Sequence, residues 1–327
     1  MKKILITGGA GFIGYHLAKK LITNYNYKID LVDDFSRGLK DAELKEILKS
    51  KKIKLININL LKDIKKIEKL SQSYTYIFHL AAIVGVKNVI NSPYQVLVNN
   101  LQLLKNIIDL SKKQKKLKRF IFTSTSEVYY GTLKNYGLDF PTKENTKLSI
   151  LDLSNKRGSY MLSKIYGEAM CRQSNLPFTI VRPHNFYGPR MGLSHVIPEL
   201  FKKIYFSKKK KIIVYSAKHR RNFCYIEDGV NLILSLIFKN DSLGDTFNIG
   251  SKEKDISIEM LAKTMIKISK KKLKIKKEKD YFDSPHRRLP DVSKVLKITS
   301  YKYKYNLNEG LIKTMNWYKD FFSKYES

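Results

Sequence analysis

Two cysteines in 327 residues, Cys171 and Cys224, leave no basis for a disulfide framework, and neither sits at metal-ligand spacing. The six histidines are scattered singly, so no metal site is expected, zinc included. No apolar run approaches the roughly 18 residues of a membrane span. The opening Ile4-Leu5-Ile6 is soon interrupted by a glycine-rich turn at Gly8, which also argues against a signal peptide. The cytoplasm is therefore the default compartment. Acid is scarce too: 29 Asp and Glu stand against 63 Lys and Arg, a formal charge of +34. That excess is mostly lysine in short runs such as Lys208 to Lys211 and Lys270 to Lys272. Specific phosphate recognition favours arginine forks, and neither an aromatic base-stacking pattern nor a nucleic-acid module accompanies these runs. They read as solvated surface, with no nucleic-acid partner expected.

What is present is a rhythm. Short β-branched or aromatic runs at Lys3 to Thr7, Ile29 to Val32, Ile53 to Ile58, Tyr76 to Leu80, Phe120 to Ser124 and Phe178 to Arg182 read as strands. Helical stretches lie between them, at about Phe12 to Asn24, Asp41 to Lys49, Pro93 to Lys113 and Tyr160 to Gln173. Alternation of this kind predicts an α/β fold, a Rossmann-type doubly wound parallel sheet. Beyond Pro183 the pattern is less regular and suits a smaller C-terminal α/β substrate lobe. The division expected is 1–183 for the sheet domain and 184–327 for the lobe, with segments such as Phe223 to Ile226 returning to the sheet.

The run Thr7-Gly8-Gly9-Ala10-Gly11-Phe12-Ile13-Gly14 lies between the first strand and the first helix, the context a dinucleotide fingerprint requires. Gly8 and Gly9 allow the tight turn, Gly11 lets backbone approach a pyrophosphate, and Gly14 lets helix pack on sheet. The amides at the helix start, Phe12 and Ile13, then face the phosphates. Asp33 ends the second strand, where its carboxylate can accept from ribose hydroxyls and would repel a 2′-phosphate, so NAD is expected over NADP. A plain turn with a capping aspartate would look similar at lower resolution of pattern.

Tyr160 and Lys164 are four residues apart, on one face of a helix. A tyrosine is a poor base near its reference pKa of about 10, and a nearby ammonium favours phenolate, as hydride abstraction from a sugar carbinol needs. The same spacing is common on solvated helix surfaces. Upstream, Thr123-Ser124-Thr125-Ser126-Glu127 closes a buried strand with hydroxyls and one acid. Thr125 would bond the reacting oxygen and Glu127 would serve as acid or base on the oxidised sugar; a turn with a surface charge is the plainer alternative.

Taken in order, these motifs resemble the extended short-chain dehydrogenase/reductases, the group of nucleotide-sugar 4-epimerases, 4,6-dehydratases and decarboxylases. Also carrying the resemblance are His79-Leu80-Ala81-Ala82, Asn100, Arg182-Pro183-His184-Asn185-Phe186-Tyr187-Gly188-Pro189-Arg190, Arg221-Asn222-Phe223-Cys224-Tyr225-Ile226-Glu227-Asp228 and Phe247-Asn248-Ile249-Gly250. The resemblance implies an NAD-dependent enzyme that oxidises C4 of a nucleotide-diphosphate sugar, as a homodimer paired through helices near Pro93 to Lys113 and Ser154 to Gln173, in polysaccharide biosynthesis. It places Asn100, Tyr160 and Lys164 with the cofactor, and Ser126, Asn185, Arg190, Arg221 and Arg288 with the substrate, although Arg287 registers as well as Arg288. His184 and His195 would shape the substrate loop. Asn59 replaces an aspartate common near the adenine, and Tyr129-Tyr130-Gly131 is one residue longer than usual. Thr-Ser-Glu at 125–127 resembles decarboxylases and GDP-mannose dehydratases. The 4-keto sugar is then dehydrated, decarboxylated, epimerised or released. If Glu127 only positions substrate, a net 4-dehydrogenase or 4-epimerase follows, and a non-catalytic NAD and sugar-nucleotide binder is the reading from a different class.

Overall fold

The apolar runs become strands because both of their faces are covered. The computed structural model describes residues 1–208, 210–280 and 283–325. Its sheet contains β1 (Lys2–Thr7), β2 (Tyr27–Asp33), β3 (Ile53–Asn57), β4 (Tyr74–His79), β5 (Arg119–Thr123), β6 (Phe178–Pro183) and a seventh strand, Asp245–Ile249. Every pairing is parallel, in the order seventh, β6, β5, β4, β1, β2, β3. On one face Ile4 and Ile6 share a core with Leu17, Ala18 and Leu21 of α1 (Phe12–Asn24). On the other, Leu5, Phe120 and Phe122 share a core with Leu104 and Ile107 of helix Pro93–Lys112 and Cys171 of helix Gly158–Gln173. Each such enclosed side chain contributes about 1.5–3 kcal/mol by leaving water. The strand order reverses between β4 and β1, and ligands of doubly wound sheets bind at the carboxyl ends of strands at that point.

Beyond Pro183 one expected return to the sheet changes place. Of the segment Phe223 to Ile226, only Cys224–Tyr225 is extended, and it pairs with Phe186–Tyr187 in a separate two-stranded sheet. Helix Ile226–Ile237 starts at the next residue, which leaves no length to reach the main sheet. Asp245–Ile249 takes the position beside β6 instead. In the lobe, Arg220–Arg221 pairs with Arg287–Arg288 on one side and Ile256–Ser257 on the other. The final helix, Leu307–Tyr325, sends Leu311, Met315, Tyr318 and Phe322 into the core that α1 shares, so lobe and sheet are packed as one body. Among the described residues, no helix is long and apolar enough to cross a membrane.

Candidate active site

The groove starts at the glycine loop. Gly8 has φ +68°, and a Cβ there would lie 2.9 Å from the Ala81 amide nitrogen after β4. A Cβ on Gly14 would come within 2.3 Å of the Gly8 carbonyl oxygen, so helix and turn meet only with glycine at both places. Helix α1 begins directly after Gly11, with no side-chain cap among the described residues and no acid in its first turn. Its first N–H groups, those of Phe12 and Ile13 included, are thus available to an anion. The Asp33 carboxylate accepts from the Ala10 amide (2.9 Å) and the Phe35 amide (2.8 Å), fastening both loops. Burial pushes its pKa up, and hydrogen bonds from the Phe35, Ala10 and Gly11 amides oppose the rise. With three amides on its roughly four lone-pair sites, the carboxylate keeps room for a ribose hydroxyl. Cradle, helix start and acid fit an NAD dinucleotide. Asn59, the departure near the adenine, donates to Asp34 (2.9 Å) and accepts from the amides of Leu61 and Lys62.

Asn100 reaches the groove indirectly. Its side chain accepts from the Ile83 amide (2.7 Å), donates to the Ile83 carbonyl (3.0 Å) and donates to the Ser163 hydroxyl (3.2 Å). It holds the loop after β4 against helix Gly158–Gln173.

The reacting cluster forms where β5 ends. Thr125 caps the single turn Ser126–Tyr129, accepting from the Glu127 amide (3.2 Å), and its hydroxyl is hydrogen-bonded to Tyr160. Burial raises the Tyr160 pKa well above its ordinary value, and the Glu127 charge adds to this; the Thr125 hydrogen bond and the charges of Arg37 and Arg288 oppose it. Tyr160 is accordingly a phenol in this state. Here the structure corrects the simple pairing read from spacing. The Lys164 ammonium donates to the Thr123 carbonyl (2.7 Å) and lies 5.9 Å from the Tyr160 ring centre. Burial lowers its pKa to about 8. The arginines are the charges that draw the phenol towards phenolate, because the ammonium is anchored on the backbone.

Glu127 is bound by Arg288 at 2.6 Å. Burial alone would raise its pKa, but the charges of Arg288 and Arg157, the Arg288 hydrogen bond and the Arg221 charge outweigh that and hold it below the usual carboxylate range. The register of two short strands sets this cluster: Arg221 is the partner of Arg288 and Arg220 of Arg287. Arg220 and Arg287 both pair with Asp255, at 2.9 and 2.8 Å. Arg221 and Arg288 share the other face. Of the two neighbours, Arg288 is the one that meets Glu127, while Arg287 is held on Asp255. Arg221 donates to the Pro285 carbonyl (2.6 Å) and the Arg220 carbonyl (2.8 Å), and burial followed by the Arg288 charge lowers its pKa to about 9. A guanidinium fork such as that of Arg221 is suited to receive a phosphate. Asn185, at φ 38°, donates to the Asn222 carbonyl (3.1 Å), and Ser126 lines a small cavity with His184 and Arg288.

Arg190 does not join them. Its guanidinium is enclosed, pairs with Asp41 at 2.6 and 3.0 Å, donates to the Leu39 carbonyl and lies 4.0 Å from the Tyr15 ring centre. It clamps the loop after β2 to the lobe, so the expected substrate contact is withdrawn. His184 is also enclosed, with Nε2 against Asn248, and burial lowers its pKa to about 3. His195 sits at the start of helix Val196–Tyr205, its pKa lowered by burial and then by Arg37. Two members of the cluster escaped the sequence reading. Arg157 lies one helical turn before Tyr160, a spacing that was available as a signal; Arg37 lies in a loop with no such signal.

A family model for the NAD dependent epimerase/dehydratase family matches residues 4–250. The UDP-N-acetyl-alpha-D-glucosaminuronate decarboxylase of Bacillus cytotoxicus is 32% identical over 98% of this chain and 98% of its own. A UDP-glucose 4-epimerase of Thermotoga maritima, solved with UDP-glucose, superposes with TM-score 0.84 at 25% identity, covering 98% and 99% of the two chains. The UDP-glucuronic acid 4-epimerase of Bacillus cereus, solved with UDP-glucuronic acid and NAD, gives TM-score 0.80 at 26% identity over 98% and 99%. The chain belongs to the NAD-dependent epimerase/dehydratase family, and it is an NAD-dependent enzyme of nucleotide-sugar modification that works through C4 of the sugar.

Proposed function

We propose that the protein decarboxylates a UDP-linked hexuronic acid. The observation that carries this reading is the Glu127–Arg288 pair, set among Arg157 and Arg221. With Arg221 given to the diphosphate, Glu127 still has two arginines beside it, Arg288 and Arg157, and the one positive charge left over suits a sugar that brings its own carboxylate. The Bacillus cytotoxicus relative, a decarboxylase of such a sugar, supports the same choice.

The NAD that the glycine cradle would hold supplies a reversible hydride acceptor for C4. As the phenolate that the charges of Arg37 and Arg288 and the Thr125 hydrogen bond favour, Tyr160 takes the C4 hydroxyl proton. Lys164 and Asn100 hold the walls around that phenol in place. With C4 a ketone, the C6 carboxylate is a β-keto acid: the C5–C6 bond electrons pass to the C4 oxygen and carbon dioxide leaves. C5 then needs a proton, which Glu127, ionised and beside the sugar end, is placed to relay from solvent. Tyr160 returns its proton to the C4 oxygen when the ketone is reduced. Arg221 and Asn185 hold the diphosphate, and Arg288 with Ser126 the sugar.

The test is the product mass from UDP-glucuronic acid and UDP-N-acetylglucosaminuronic acid. Loss of carbon dioxide is expected; unchanged mass with an inverted C4 would make the enzyme an epimerase, and loss of water from a neutral UDP-hexose a dehydratase. We also infer a cytoplasmic homodimer supplying polysaccharide synthesis. Both cysteines are free and buried, as a reducing compartment allows. Tyr94, Val98 and Tyr166 stand exposed on the two long helices, whereas Leu104 and Ile108 are enclosed within the chain. A dimer mass by light scattering is expected, and a monomer at micromolar concentration would refute it.

A further inference from the structure

The sheet order places β1 between β2 and β4. A side chain that leaves the loop after β2 and binds the loop after β4 must therefore pass over the end of β1, where the glycine loop lies. Arg37 does this: its Nη1 donates to the Val84 carbonyl at 3.3 Å. Its loop is seated at the base by Gly38, where a Cβ would come within 2.7 Å of Ala10 Cβ and 2.9 Å of an Asp33 oxygen. The Arg190–Asp41 pair fastens the loop's far end. The third wall is the lobe. A Cβ on Gly192 would lie 3.6 Å from Arg37 Nη2 and 3.6 Å from the His195 ring. The guanidinium thus sits where three walls of the groove converge.

Among the described residues its hydrogen bonding is that one long contact, and no carboxylate pairs with it. A guanidinium has five N–H donors, and a doubly charged anion would use them far better than one carbonyl. Directly below is the uncapped start of α1, where a dinucleotide's pyrophosphate binds. We propose that Arg37 is a strap over the cofactor's pyrophosphate, clamping it from above as the helix amides hold it from below, and that it slows release of the dinucleotide between turnovers. The need for such a strap rests on the redox-neutral reaction proposed above, in which the hydride returns to the same sugar and exchange of cofactor would strand an oxidised intermediate.

The test measures cofactor retention directly. Wild type, Arg37→Gln and Arg37→Lys are loaded with NAD, and dissociation is followed by dilution and by dinucleotide content after gel filtration. Arg37→Gln is expected to raise the release rate roughly 10- to 100-fold, a charged hydrogen-bonding contribution, with Arg37→Lys between the two. UDP affinity and thermal unfolding of the cofactor-free protein are expected to stay as in wild type. Wild-type NAD release from a folded, UDP-binding Arg37→Gln would overturn the strap, as would an effect confined to NADP, which would assign the guanidinium to a 2′-phosphate. Product mass is a separate readout, so an epimerase or dehydratase result would remove the decarboxylase reading without touching the release rates.

Discussion

Two arginine–carboxylate pairs lie on either side of the end of β5, at the same 2.6 Å separation, and they do opposite things. Arg182 and Glu168 are enclosed, with side chains 4% and 6% exposed. Glu168 also accepts from Ser124 (2.6 Å), and Arg182 donates as well to Tyr129 (2.7 Å) and the Glu144 carbonyl (3.1 Å). Every charge has its partner there, so the pair fixes β5, β6 and helix Gly158–Gln173 to one another. Arg288 and Glu127 are 17% and 22% exposed and share their surroundings with Arg157 and Arg221. Charge is left over in this second pair, and leftover charge beside a reacting phenol is what a polyanionic substrate would neutralise. Chemically identical pairs are told apart by the completeness of their partners.

Breaking the comparison at its reactive centre should give the largest effect. Tyr160→Phe keeps the ring's packing but removes the proton acceptor, so single-turnover hydride transfer, followed as NADH absorbance, should slow by roughly 100- to 10,000-fold. Full activity would end the proposed mechanism. Next comes the enclosed pair. Glu168→Ala strands a buried guanidinium and should cost about 3–5 kcal/mol of stability in denaturant titration, whereas Glu127→Gln should cost far less. The site pair should answer in the reverse way: Glu127→Gln should still form NADH and a 4-keto sugar but release final product at least about 100-fold more slowly. Normal turnover by Glu127→Gln would reduce Glu127 to a positioning residue.

The smallest effect sharpens the role of the buried ammonium. The Lys164 pKa, lowered by burial to about 8, lies below the unfolded value of about 10.4. Between those values the unfolded chain binds the proton and the folded chain does not, so this residue makes stability rise with pH across the window. Relative to wild type, Lys164→Met should lose that rise, a difference of about 1–3 kcal/mol between pH 8 and pH 10.5. Parallel stability curves for the two proteins would show that the ammonium stays charged in its site.

Reading position by position, the strands were visible because each is enclosed on both faces and so is apolar throughout, as in Ile4-Leu5-Ile6. Arg190 was misplaced for the opposite reason: an arginine inside a motif carries no mark of whether Asp41, far away in the chain, has already claimed it. Arg37 left no trace because its place over the groove depends on strand order.

By itself the sequence determined the glycine turn, the acid that ends β2 and the helical spacing of Tyr160 and Lys164. These are local: φ +68° at Gly8 and a four-residue helical step are properties of a few consecutive residues. Tertiary structure alone decided which arginine meets Glu127, since the pairing of Arg221 with Arg288 puts Arg220 and Arg287 on Asp255 instead. It also decided how the phenol is tuned, because burial and the charges of Glu127, Arg37 and Arg288 arrive from separate segments and act through space on one oxygen.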